Sequence, residues 1–313
     1  MLIDLAQVAA GLVVLLVAGD FLVRGAVNLA LRLGIPALMV GMTIVAFGTS
    51  APELLVSVRA VLQDAGGLAL GNVVGSNIAN ILLVLGAPAL ISALAVTREV
   101  QRDFLMMVAV TVLFTGLALT GVIGRWQALV LLGAFALFMA DSIRRGRKAR
   151  TDPDELEGAD LSMSGTRIAL FTGLGVVGLP LGASLLVDGA VDIAQVLGVS
   201  DLMIGLTIVA VGTSLPELAT TLMAAIRREG GVALGNIIGS NLFNLALILG
   251  VAGLFGAMPI PAQMVRLDLW VMLGAALVLA PFIWAEKPIS RVWGVVLLLG
   301  YAGYIWALTQ IGV

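Results

Sequence analysis

Two glutamates, Glu53 and Glu217, stand in long apolar runs, each at the end of the same pattern: Ala46-Phe47-Gly48-Thr49-Ser50-Ala51-Pro52-Glu53 and Ala210-Val211-Gly212-Thr213-Ser214-Leu215-Pro216-Glu217. An ionisable side chain surrounded by apolar sequence is costly to keep and points to function. The other reading for one such glutamate alone is a protonated group hydrogen-bonded to a neighbouring helix. Its duplication beside the same proline and hydroxyls argues against that. Proline offers no amide hydrogen and its ring opposes the carbonyl four residues back, here Gly48 or Gly212. Glycine lowers the cost of unwinding there. Each helix is therefore expected to kink or break at about half its length. The carbonyls from Ala46 to Thr49 and from Ala210 to Thr213 then need a partner, which in lipid is another helix, water or a cation.

A second motif follows each glutamate. In GNVVGSNIAN, Asn72, Ser76 and Asn80 are four apart and share a helix face; Asn236, Ser240 and Asn244 match them in GNIIGSNLFN. Carboxylate, amide, hydroxyl and carbonyl oxygens suit hard cations. Neither motif contains Lys or Arg, which disfavours an anionic substrate, and no aromatic cage is present for an organic cation. Inorganic cations remain. Two fixed negative charges balance one divalent ion or hold two or three monovalent ions in adjoining subsites, and competition between these loads gives exchange. Asn77 and Asn241 point off the stripe and read as helix–helix hydrogen bonds. Asn72 and Asn236 lie farther along and fit either role. Asp20 and Arg24 are spaced to pair on one helix.

The elements that position these residues follow from a repeat. Residues 41–86 align without gaps on 205–250, at an offset of 164, with 25 of 46 positions identical. The chain has 313 residues, 60% hydrophobic and 12% charged, with mean hydropathy +1.13. Soluble domains carry about 25% charged residues, so an all-α integral membrane protein is expected. The absence of Cys excludes disulfides and thiolate metal sites, and the absence of His removes the commonest transition-metal ligand. With no clear nucleophile–base pair, the chain does not read as an enzyme. Ten transmembrane helices fit, near 3–30, 36–62, 66–93, 103–120, 126–142, 166–197, 201–227, 231–256, 266–284 and 292–308, with the N-terminal run read as the first span. They divide into a first five-helix repeat, 1–143, a polar linker, 144–165, and a second repeat, 166–313. Five spans is an odd number, so the second repeat enters from the opposite face. The two copies are then inverted repeats with broken helices at the midplane, where substrate sits in such architectures. With both termini outside, 14 of the 17 Lys and Arg residues fall inside, as the positive-inside rule requires. The central basic loop is then cytoplasmic, in a multi-pass protein of the cell (inner) membrane. Trp126, Trp270, Trp284, Trp293 and Tyr301 fall near the interfaces.

At these motifs the chain resembles the calcium/cation antiporter superfamily, and most of all its prokaryotic sodium/calcium exchangers. GTSAPE with GNVVGSNIAN and GTSLPE with GNIIGSNLFN carry the resemblance, and the ten-span scheme with a basic central loop extends it over the chain. It implies that spans two, three, seven and eight surround the ions, and that spans one and six slide past them to alternate access. It implies Glu53 and Glu217 as shared calcium and sodium ligands and carbonyls of Thr49 and Thr213 in the calcium site. Carbonyls of Ala46 and Ala210 with Ser50, Ser214, Ser76 and Ser240 would form sodium subsites, and Asn80 and Asn244 would line the centre. Some relatives have aspartate at the Asn244 position, and potassium-dependent members use an acid in this region, so amides at both centres argue against potassium. The proton-coupled branch typically has an acid after the GN of the third-helix motif; GNVVGSN favours sodium. The expected activity is electrogenic sodium/calcium antiport, with calcium extruded on the sodium gradient, and a calcium/proton antiporter that titrates the same glutamates is the alternative. No cofactor is implied beyond the transported Ca2+ and Na+. The partners are inorganic cations and the lipid bilayer, with no nucleic acid, and a monomer suffices.

Overall fold

The structure is a computed structural model that describes residues 2–146, 163–197 and 210–311. Most of the expected linker and the start of the seventh span, 201–209, lie outside the described residues. The helices are α1 (Leu2–Leu33), α2 (Ala37–Leu62), α3 (Gly66–Ile91), α4 (Val100–Ala118) and α5 (Arg125–Gly146). After the linker come α6 (Gly165–Val196), α7 (one turn at Ala210–Thr213, then Leu215–Ile226), α8 (Gly230–Phe255), α9 (Met264–Trp284) and α10 (Arg291–Ile311). Among the described residues nine helices are long and apolar enough to cross a membrane, and Leu215–Ile226 is a shorter apolar helix. The protein is an all-helical, multi-pass membrane protein. Its only strands among the described residues, β1 (Val122–Ile123) and β2 (Met258–Pro259), pair antiparallel.

The most apolar windows of α3 and α8 are 72% and 83% buried, against 22% in α1 and α6 and 11% in α10. The glycine-rich helices are therefore the core, and α1, α6 and α10 present their side chains outward. Loop contacts sort the two ends of the molecule. At one end the β1–β2 ladder lies beside Gly66. At the other, Leu94 bridges to Ile289, and Gly230 packs on Ala95. Arg98, Arg102, Arg145 and Arg227 gather at the second end; Arg59, Arg125 and Arg266 are at the first.

The turn after the acid-bearing helix is built in the same way in both copies, and not, as the Gly66–Gly67 pair suggests from sequence, by the glycines. Gly66 and Gly67 do not make it; they open α3. The reversal is made by Asp64, at φ 58°, and by its repeat mate Arg228, at φ 60°. Asp64 N donates to Val61 O and Ala65 N to Ala60 O. Arg228 N donates to Ala225 O and Glu229 N to Ala224 O. These bonds satisfy the carbonyls that a helix end orphans, which offsets the cost of a non-glycine residue in the left-handed region.

Helices α1 and α6 run antiparallel along most of their length, and their contacts are reciprocal. A Cβ on Gly11 would stand 2.5 Å from Leu186 N, and one on Gly175 would stand 2.5 Å from Leu22 Cβ. With the 164-residue offset these are the same contact made twice, once in each direction. A two-fold axis generates contacts of that kind. Only residues without a side chain permit backbones to meet so closely.

The charges at the second end are paired. Asp20 accepts from Arg24 Nε at 2.9 Å and from Arg227 Nε at 2.5 Å. Arg145 joins Asp103 of α4 to Asp141 of α5, with Nε 2.9 Å from Asp141 Oδ2. Arg102 also reaches Asp141, at 2.5 Å. Asp103 is fully buried, one turn inside a helix that sequence alone starts at Asp103 itself.

Candidate cation-binding site

Glu53 lies on α2 and Glu217 on α7, both with no exposed surface, in the middle of the helix bundle. They are near enough for their charges to interact. The local backbone that carries them is less symmetric than the sequences are. In α7 the helix is interrupted at Ser214, where φ is −89° and ψ 5°, and Pro216 sits in the first turn of the segment that follows. In α2 the helix runs on through Pro52 from Ala46 to Leu62. Its irregularity comes earlier, in a wide π turn at Gly41–Val45. The break expected at Pro52 is not seen in α2.

The second motif holds a feature with no Gly or Pro to announce it. Asn80 begins a π turn, Asn80–Val84, and Asn244 lies in another, Phe243–Ile248. Such turns leave backbone groups out of the regular ladder and recur at functional sites. Both central amides are therefore on helical segments that are locally widened.

Hydrogen bonds join the copies across the centre. Ser50 Oγ on α2 donates to Glu217 Oε1 on α7 at 3.0 Å, and Ser240 Oγ on α8 lies 3.5 Å from the same oxygen. Thr49 Oγ1 donates to Asn236 Oδ1 at 3.2 Å and is 3.5 Å from Ser240 Oγ. Asn236 Nδ2 in turn donates to Thr221 Oγ1 at 3.1 Å. The mates of that last pair, Asn72 and Ser57, bond at 3.2 Å. Each pair ties an acid-bearing helix to its glycine-rich neighbour. Asn80 Nδ2 donates to Asn241 Oδ1 at 3.1 Å, from α3 to α8.

The atoms left over are as informative. Among the described residues, both oxygens of Glu53, Oε2 of Glu217, Oγ of Ser214, Oγ1 of Thr220, Oδ1 of Asn80 and both amide atoms of Asn244 are buried and have no hydrogen-bond partner. Folded proteins leave few such atoms, and most of those here lie on α2, α3, α7 and α8, with Ser142 on α5 and Thr172 on α6 outside that group. No Lys or Arg is among the buried residues described. A buried carboxylate without a cation or a donor is severely penalised. The donor set is oxygen, apart from the Asn244 amide nitrogen, and contains two acids; among the described residues no three His, Cys, Asp or Glu side chains form a metal-holding group. Two carboxylates with neutral oxygens suit a hard cation that is held and then released, more than a permanently caged one.

Hydrogen bonds connect Glu217, Thr49, Ser50 and Ser240 in one cluster; Glu53 stands near Glu217 outside that network, and Ser214 and Asn244 lie on α7 and α8. Ser76 is buried on the Asn80 face of α3. Ala46 is buried where the π turn of α2 meets its regular helix, and Ala210 opens the turn that ends at Thr213. Thr213 is half-buried. Three residues belong to the network that the sequence left aside or ambiguous: Asn236, Asn241 and Thr221. Their i, i+4 spacing with Ser240 and Glu217 is a signal for the first and last; nothing local marks Asn241.

Fold and site together define a multi-pass membrane protein in which two acid-bearing helices of a duplicated unit meet in the core. Residues 3–143 and 167–310 match the family described as Sodium/calcium exchanger protein, and the chain belongs to that family of membrane exchangers. It is 39% identical over 316 residues to the putative antiporter CaxA of Alkalimonas amylolytica, covering 98% of this chain and 99% of that one. It is 34% identical to the sodium/calcium exchanger MaX1 of Methanosarcina acetivorans, over 96% of this chain and 97% of the relative. Among solved structures it superposes on the sodium-calcium exchanger NCX_Mj, soaked with zero Na+ and Ca2+, with a TM-score of 0.86. The identity is 32%, and each chain is 99% covered.

Proposed function

We propose that the chain is an antiporter that expels calcium in exchange for sodium, both ions taking turns at one site between α2, α3, α7 and α8. Glu53 and Glu217 are the shared charged ligands. Ser50, Ser214, Ser76, Ser240, Asn80 and Asn244 supply neutral side-chain oxygens, and Thr49, Thr213, Ala46 and Ala210 supply carbonyls. The observation that carries the reading is the pair of buried carboxylates, three of whose four oxygens have no partner, with no basic side chain buried beside them. The reciprocal α1–α6 contacts support two inverted five-helix repeats, 1–143 and 166–313, around a pseudo-two-fold axis. The clustering of basic residues at one end supports a cytoplasmic placement of that end and of the 144–165 linker, with both termini outside. Relatives named sodium/calcium exchanger support sodium as the coupling ion.

The test is radiolabelled calcium uptake into proteoliposomes under imposed sodium, potassium and proton gradients. Sodium-driven uptake that survives a protonophore and generates a membrane potential is expected. Uptake that follows the proton gradient and ignores sodium would replace this reading with calcium/proton antiport.

A further inference from the structure

The two central amides are equivalent in sequence and unlike in structure. Asn80 and Asn244 occupy matching positions, and both are buried. Asn80 is held by one end: its Nδ2 donates to Asn241 Oδ1 at 3.1 Å, which leaves Oδ1 as the unpartnered end. Asn244 has a partner for neither amide atom among the described residues. The difference lies in the asparagine three residues before each. Asn241 reaches across to α3, while its own Nδ2 points at Met107 Sδ of α4, 3.7 Å away. Its mate Asn77 turns back on its own helix, with Nδ2 donating to Val73 O at 2.8 Å. Asn244 therefore receives no counterpart of the contact that Asn80 receives.

An amide has an acceptor end and a donor end, and only the oxygen can ligate a cation. We propose that Asn241 is a positioning residue. It pins the Asn80 amide so that the cation meets Oδ1 and not the NH2 group, whereas among the described residues no hydrogen bond fixes the Asn244 amide. Asn241 also explains why Asn80 needs no acid to present oxygen: the neighbour does the orienting. The donation of Asn241 Nδ2 towards Met107 fixes which end of Asn241 faces Asn80, so the orientation is relayed from α4. The pocket then contains one fixed neutral ligand and one adaptable one. A fixed carbonyl dipole favours the divalent ion, whose ligands must be held against a strong hydration shell, and the adaptable amide accommodates a changed ion load. This rests on the proposed ion site.

The experiment is a calcium concentration series of sodium-driven uptake in proteoliposomes for the unchanged protein, Asn241→Leu, Asn80→Asp and the double variant. Asn241→Leu is expected to raise the calcium KM about tenfold, the usual scale for losing an outer partner of a ligand, with the maximal rate within about twofold. In the Asn80→Asp background the same change is expected to add less than about twofold, because either carboxylate oxygen serves whichever way the group turns. That non-additivity separates orientation from mere packing. Asn241→Ala removes the same acceptor without added bulk and is read in the same way should the leucine variant fail to fold. An unchanged KM in the variant that folds, or an equal penalty in both backgrounds, overturns the proposal. Glu53→Gln in the same assay tells the two ideas apart. If it abolishes uptake while the Asn241 variants behave normally, only the positioning role fails; if it leaves uptake intact, the ion site fails.

Discussion

Replacing Glu53 by Gln should uncouple stability from calcium. Among the described residues Glu53 has two buried oxygens without partners and no buried basic side chain beside it, so at the proposed site a bound ion is what balances its charge. For the unchanged protein, calcium at a hundred times its Kd adds about 2.7 kcal/mol to stability by mass action. For a chain of this size that is a rise of about 5 °C in the unfolding midpoint. A unit charge and a divalent ion about 4 Å apart attract by about 8 kcal/mol at an effective dielectric of about 20. Keeping only a third of that, the loss of the charge weakens binding about a hundredfold. The same calcium concentration then sits near Kd and adds about 0.4 kcal/mol, less than about 1 °C. Without calcium the order reverses: the neutral amide is cheaper to bury than an unpaired carboxylate, so Glu53→Gln should unfold at or above the midpoint of the unchanged protein. Glu217→Gln should gain less, because Glu217 already accepts from Ser50 at 3.0 Å. The assay is thermal unfolding in detergent with and without calcium. A Glu53→Gln protein that keeps the full calcium shift would refute the reasoning, and so would one much less stable than the unchanged protein when calcium is withheld.

Other expectations follow from different parts of the molecule. Arg145→Met leaves Asp103 buried beside α5 without its guanidinium and should cost about 3–5 kcal/mol in unfolding experiments; adding Asp103→Asn should recover much of it. Gly175→Ala sets a Cβ 2.5 Å from Leu22 Cβ and 2.8 Å from its Cα. It should cost about 1–3 kcal/mol by forcing α1 and α6 apart, read as a lower midpoint with the ion shift retained. Asn244→Asp adds a third acid to the centre and should alter sodium affinity or make transport pH-dependent; an unchanged sodium and pH profile would remove Asn244 from the site.

The duplicated motifs made much of this legible in advance. An offset of 164 residues placed Glu53 opposite Glu217 and Ser50 opposite Ser214 before any coordinates, and apolar runs of the right length delivered the helices. What escaped was whatever depends on packing between helices. Proline at position 52 announces a break, but the helix runs on through it from Ala46 to Leu62, and the π turn lies earlier, at Gly41–Val45. The turns at Asn80 and Asn244 have no breaker residue at all, so composition is silent about them. Asp64 and Arg228 adopt the left-handed conformation where two backbone hydrogen bonds close the helix end, a cause invisible beside the more obvious Gly66–Gly67. Asn241 lies off the oxygen stripe on its own helix; its link to Asn80 exists because α3 and α8 cross where they do. Asp103 reads as a helix-end charge until Arg145, 42 residues on, is seen to reach it.

The clasp between Asp20 and Arg227 has no counterpart at the repeat-related positions. Its mirror positions hold Ser184 and Gln63, and Ser184 spends its hydroxyl on Asp188 of its own helix. Val56 is 39% exposed, whereas its mate Thr220 is fully covered. If the two repeats are inverted as proposed, exchanging the roles of α1 and α6 gives a second shape, and residues identical in both copies contribute equally to each. The tilt between those shapes must then be written in the handful of positions where the twins disagree. On that reading the balance is retuned by editing a salt link at the rim, away from the proposed ion ligands.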